Sequence, residues 1–181
     1  DPAVARLRAA GAIFVGRTNM SEFGCKGVTT NLLYGPTGHP ADPMLTPGGS
    51  SGGAAAAVAT GMCALALASD GGGSVRRPAA HVGAIGYKPS SGVVPNPRGL
   101  SHTAVIGLMA MDVETVRSAF AVIRGADPRD PVSVNGADLE EDVAGGRVSL
   151  AWAPTLGHNS PLDPDAARLG EAAAALLGDA G

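Results

Sequence analysis

Two serines of this chain sit in two glycine-rich loops. The first lies in Pro47-Gly48-Gly49-Ser50-Ser51-Gly52-Gly53 and the second in Asp70-Gly71-Gly72-Gly73-Ser74-Val75-Arg76-Arg77-Pro78. Glycine accepts positive φ and lets backbone N–H groups come close to another molecule. Successive exposed amides form an anion-binding hollow. A serine beside such a hollow has both parts that acyl transfer needs, an oxygen nucleophile and donors for the oxyanion. Gly71, Gly72 and Gly73 would supply those donors, or else form only a tight turn. Asp70 and Arg76 flank Ser74 and read better as an ion pair clamping the loop than as catalytic groups. Ser51 would donate to substrate or to Ser50, or cap a following helix, and the cap is the preferred reading.

A glycine–serine run by itself is a flexible linker. Two such runs, each bearing a serine and separated by a helix pattern and a strand pattern, are a different matter. The helix and the strand would carry the chain out and back, so that the loops meet in space. Gly48-x-Ser50-x-Gly52 also satisfies the nucleophile elbow, which needs a buried strand directly before its serine. Pro40, Pro43 and Pro47 occupy that place instead. No phosphate-binding glycine pattern follows a strand. His81, His102 and His158 read as ordinary polar or surface histidines.

The two loops together resemble the amidase signature family of serine hydrolases. The likeness extends from Gly16-Arg17-Thr18-Asn19-Met20-Ser21-Glu22-Phe23, through Gly86-Tyr87-Lys88-Pro89, to Asp127-Pro128-Arg129-Asp130-Pro131. The sequence differs from the usual family pattern at Ser69, often Thr, and at Gly71, usually a residue with a side chain. The resemblance implies an amidase that hydrolyses a carboxamide C–N bond, with Ser74 as nucleophile. It implies that Ser50, entered by a cis peptide bond, relays the proton to a lysine. That lysine lies well upstream in the family, and Lys26 and Lys88 stand in no matching context. Residues 1–181 are therefore read as part of a single amidase signature domain, without the segment bearing the lysine and without the C-terminal part. An alternative within the family is the amidase subunit of a glutamyl-tRNA(Gln) amidotransferase, which passes ammonia to a partner subunit. An alternative of another class is a non-catalytic, truncated or decayed fragment. The resemblance implies a small-molecule amide substrate, no cofactor, no metal, no direct nucleic-acid contact and no membrane association. It leaves a homodimer open.

Composition agrees with a buried core. A chain of 181 residues with 45% hydrophobic residues can bury a core, and a net charge of −3 excludes a basic nucleic-acid binder. Aromatic residues are 3% of the chain, so that core must rest on Ala, Val, Leu and Ile. Cys25 and Cys63 are too few for a disulfide framework and match no metal spacing, which favours a reduced, cytoplasmic setting. No signal-peptide pattern opens the chain. Residues 43–69 carry no charge, yet their glycines, prolines and alanines argue against a membrane span.

The elements that must position the serines follow from periodicity. Pro2 to Ala10 predicts a helix stopped by Gly11, and Ala12 to Gly16 a short buried strand. Arg17 to Pro47 predicts a long loop wrapped around the site. A helix across Gly53 to Thr60 is ended by Gly61, and a strand over Ala64 to Ser69 follows. Pro78 to His81 predicts a helical turn and Ala84 to Tyr87 a strand. Val113 to Arg124 is an amphipathic helix with Val113, Val116, Phe120 and Ile123 on one face. A polar loop between Gly125 and Gly146, a strand over Arg147 to Ala153 and a helix after Asp163 complete the chain. The expected fold class is α/β, a mixed β-sheet covered by helices on both faces.

Overall fold

The structure, a computed structural model, describes residues 1–97, 103–134, 151–158 and 161–179. The chain divides into two compact units, Asp1–Asp138 and Leu139–Gly181.

The first unit opens with α1 (Pro2–Ala9), where Asp1 caps the helix by accepting from the Ala3 and Val4 amides and proline takes the first turn. Gly11, at φ 91°, lets the chain leave it. The expected strand over Ala12 to Gly16 is absent. Ile13 and Val15 are 89% and 76% exposed, and no strand of the described residues pairs with this run. An apolar composition favours a strand but cannot make one without a neighbour to take its hydrogen bonds.

The loop from Arg17 to Pro47 contains one turn of 3-10 helix and a minimal hairpin, β1 (Thr30–Asn31) against β2 (Gly35–Pro36). Next come α2 (Gly52–Ala59), β3 (Leu65–Asp70), α3 (Arg76–Val82) and β4 (Ile85–Tyr87). β5 (Val105–Ala110), which the sequence reading missed, follows, and α4 (Val113–Ile123) follows it.

β5 is the centre of the main sheet, whose order is β3-β5-β4, and both pairings are antiparallel. Strand alternation then sorts its side chains onto two faces. On one face Leu108 and Ala110 pack with Leu65 and Leu67 of β3 against Ala3 and Leu7 of α1 and Val116, Ala119 and Ile123 of α4. On the other, Met109 packs with Ala66 and Ala68 against Ala54, Ala55 and Val58 of α2 and Ala79 of α3. The sheet is thus covered by helices on both faces, as expected. Val116, Ala119 and Ile123 are the buried residues of α4, Phe120 is half-buried, and Val113, expected on that face, is exposed at the first turn. The close approach of β4 to β5 depends on Gly107, where a Cβ would come 2.5 Å from the Tyr87 carbonyl oxygen.

In the second unit Pro164–Asp179 forms α5, with Trp152 packed against Gly170. Residues 151–153 form no strand, and the rest of the strand expected over Arg147 to Ala153 lies outside the described residues, as does His102.

Candidate active site

Asp70 ends β3 and organises the second serine loop. Its carboxylate is fully buried and accepts from the amides of Gly73 (2.7 Å), Val75 (3.1 Å) and Arg76 (3.2 Å). Arg76 adds a side-chain fork, Nε at 3.0 Å and Nη2 at 2.9 Å. Burial alone would raise the Asp70 pKa. The Arg76 fork and the three amides outweigh it and hold the carboxyl well below the usual carboxylate range. The clamp expected of this pair is in place. It ties the end of a core strand to the first turn of α3 and holds Ser74, half-buried, between them.

The Gly73 amide is occupied by Asp70. The N–H groups of Gly71, Gly72 and Ser74 donate to no protein acceptor among the described residues. Gly71 and Gly72 are exposed, so two of the three expected glycine amides are open to an incoming group, beside that of Ser74 itself.

The first serine loop is no linker. Every residue from Pro47 to Gly53 is buried, with Ser50 only 2% exposed. No strand precedes Ser50, so the elbow arrangement is not formed. The peptide between Gly49 and Ser50 is cis. Three successive carbonyls of this loop are each held from outside it. Thr29 Oγ1 lies 2.9 Å from the Gly48 oxygen and 3.2 Å from that of Ser50, its proton available to either. Arg77 donates to the Gly49 oxygen, and the Ser21 amide to that of Ser50 at 2.9 Å.

The loop from Arg17 to Pro47 thus holds the Ser50 loop through Thr29 and Ser21. It also corrects the reading of Ser51, which occupies the N-cap position of α2 but makes no side-chain capping bond. The first amides of α2 are taken by other segments: Gly52 donates to Thr29 Oγ1 at 2.8 Å and Gly53 to the Asn19 oxygen at 3.2 Å. Thr29 is the residue that sequence reasoning missed here. Its buried hydroxyl caps a helix from 23 residues upstream, which no local pattern announces. Asn19 is fixed in turn through its side chain, which bonds Asn31 and Thr37.

The two loops meet. Arg77, three residues beyond Ser74, bonds the carbonyl just before Ser50, and a Cβ at Gly48 would lie 3.1 Å from Pro78 Cα. No hydrogen bond joins the Ser50 and Ser74 hydroxyls, and neither has a partner among the described residues. A Cβ at Gly24 would stand 3.6 Å from Ser50 Oγ, so the wrapping loop closes over that hydroxyl. Lys88 Nζ bonds the Pro89 carbonyl. His81 and His158 are exposed, as expected. His39 Nε2 is 2.9 Å from the His81 carbonyl, which ties the wrapping loop to the end of α3.

The geometry agrees with what the chain is similar to. The family model described as Amidase matches residues 2–181. Over 154 residues the chain is 44% identical to a glutamyl-tRNA(Gln) amidotransferase subunit of Methanothermobacter thermautotrophicus, covering 81% of this chain and 34% of the relative. The crystal structure of the corresponding subunit from Thermotoga maritima superposes with a TM-score of 0.70 at 40% identity, over 74% of this chain and 30% of that one. A 6-aminohexanoate cyclic dimer hydrolase complexed with substrate superposes with a TM-score of 0.81 at 31% identity, over 98% of this chain and 40% of that one. The chain spans about a third of the length of the curated relatives it matches. With the signature residues, the α/β fold and the two interlocked serine loops in agreement, the chain belongs to the Amidase family, the amidase signature proteins.

Proposed function

We propose that the protein carrying this chain is an amidase acting on a small carboxamide. Ser74 Oγ attacks the carbonyl carbon, and its proton passes through the Ser50 hydroxyl to a lysine outside residues 1–181. The carbonyl oxygen, as it gains charge, is received by the amides of Gly71, Gly72 and Ser74. Gly73 and the Asp70–Arg76 pair keep the loop in shape. The C–N bond then breaks, the leaving nitrogen takes a proton, and water opens the Ser74 ester to give the carboxylic acid. Ser51, buried beside Ser50 and without a hydroxyl partner among the described residues, would donate to Ser50 or to substrate. A cytoplasmic setting and a homodimer remain compatible with this reading. Among the described residues no helix is long and apolar enough to cross a membrane.

The observation that carries the proposal is the juxtaposition of open amides at Gly71, Gly72 and Ser74 with a second serine loop locked against the first. A serine-directed fluorophosphonate tests it. The adduct is expected on Ser74, abolished by Ser74→Ala and slowed but retained in Ser50→Ala. The double variant should label no better than Ser74→Ala, since members of one catalytic unit act non-additively. An adduct on Ser50 with Ser74 untouched would reverse the assignment.

A second reading is favoured by the names of relatives, several of which are glutamyl-tRNA(Gln) amidotransferase subunits. In that case the ammonia released would pass to a partner protein. Release of ammonia from a simple carboxamide at full rate by the purified protein alone separates the free-standing amidase from the amidotransferase component.

A further inference from the structure

We propose that Arg77 is a positioning residue that sets Ser50 against Ser74, an inference that rests on the relay reading of the two serines. Arg77 lies in the first turn of α3, three residues beyond Ser74. Its guanidinium reaches to the other loop and donates from Nε (3.3 Å) and Nη2 (3.0 Å) to one oxygen, the Gly49 carbonyl. That oxygen belongs to the peptide unit that enters Ser50.

The other holds on this loop come from a different direction. Thr29 and Ser21, which serve the Gly48 and Ser50 carbonyls, both belong to the wrapping loop. They fix Ser50 relative to that loop and to α2, and none of them reaches the loop that bears Ser74. Among the described residues, the Arg77 fork is the hydrogen-bonded link between the two serine loops. Gly48 also meets Pro78, but a van der Waals contact limits approach without directing it.

Position and shape suit arginine. Gly27 of the wrapping loop lies beneath the guanidinium, where a Cβ would come 3.1 Å from Nη1. The flat group is therefore held between Gly27 and the Gly49 oxygen, and its planar fork can grip a single carbonyl with two donors. A lysine would place one compact charge there without that fork. Arg77 does not touch the reacting atoms on this account. It acts through the Ser50 loop.

The test is a double-mutant cycle in the full-length protein, read by the rate of fluorophosphonate labelling of Ser74 and by steady-state amide hydrolysis. Misplacement by about 1 Å costs up to roughly a hundredfold. Arg77→Ala is thus expected to slow labelling by about 10–100-fold and to lower kcat with KM little changed. In a Ser50→Ala background the same substitution is expected to change the rate by less than about twofold, because its effect runs through the hydroxyl already removed. Arg77→Lys should recover only part of the rate, and methylguanidinium in solution should partly restore Arg77→Ala. Arg77 is exposed, and thermal melts of each variant check that the fold is retained. Equal slowing in both backgrounds, or no slowing in either, overturns the role given to Arg77. Unimpaired labelling in Ser50→Ala alone overturns the relay reading, and the Arg77 inference falls with it.

Discussion

Asp70 shows how much one buried charge can organise. Five donors converge on its carboxylate, three of them backbone amides of the loop that bears Ser74. Asp70→Ala leaves those amides without their acceptor and is expected to cost on the order of 2–4 kcal/mol, read from urea unfolding. Arg76→Ala should cost less, because Arg76 is half exposed and Asp70 keeps its three amide donors. The sign of the pH effect follows from the lowered pKa. A carboxyl held below its unfolded value of about 3.9 contributes stability above that pH and loses it as pH falls through the folded value. Stability from the clamp is therefore expected to be complete at pH 5 and to decline only below about pH 4, a decline absent in Asp70→Asn. Thr29 offers a sharper comparison. Thr29→Val keeps the shape but removes a hydroxyl that both caps α2 and holds the Ser50 loop, for an expected loss of about 1–2 kcal/mol. Thr29→Ser should retain most of that stability in the same melts.

At the scale of elements, what the sequence made legible was whatever depended on near neighbours. α1 and α4 carry their own caps and periodic faces, and α2 ends where Gly61 takes φ 71°. The Asp70–Arg76 clamp was readable for the same reason, its partners standing six residues apart. The rest depended on distant chain. Nothing local marks Val105-Ile106-Gly107-Leu108-Met109-Ala110 as the central strand, since burial on both faces erases the alternation that identifies a half-exposed one. The run at Ile13 shows the converse, an apolar stretch with no strand among the described residues paired to it. Ser51 looked like a cap because its type and place were right, yet Thr29 and Asn19 reach the α2 amides first. Gly53 was legible as the start of a helix, but the need for glycine there was not. Its reason is steric, because a Cβ there would collide with the Asn19 backbone. Gly53→Ala should consequently unfold the site, with loss of fluorophosphonate labelling and a lowered melting temperature.

As a whole, residues 1–181 present features that the purified chain should reveal. No basic side chain among the described residues bonds either serine hydroxyl. General-base assistance is typically worth 10²–10⁴-fold. Purified residues 1–181 are accordingly expected to hydrolyse a simple aryl amide negligibly, and robust turnover abolished by Ser74→Ala would contradict that. Large apolar side chains also stand in solvent, among them Leu32, Leu33 and Tyr34 on the β1–β2 turn and Phe23 and Met44 in the wrapping loop. Surfaces of this kind promote association. Sedimentation velocity is expected to show concentration-dependent self-association of residues 1–181, reduced by polar substitution at Leu32 and Leu33.

Arg6 closes the C-terminal end of α4 by donating to the carbonyls of Ile123, Arg124, Gly125 and Ala126. Its bond to Arg124 joins residues 118 apart in the chain. During synthesis at about 5–20 residues per second, α1 would be made roughly 6–24 s before the carbonyls it must cap. Throughout that interval Ala3 and Leu7 lack the α4 residues they pack against, Val116, Ala119 and Ile123. The first helix of this unit is therefore among the last to find its place on a nascent chain. A ribosome stalled just before Val113 should leave α1 open to protease, whereas one stalled well beyond Ala126 should protect it.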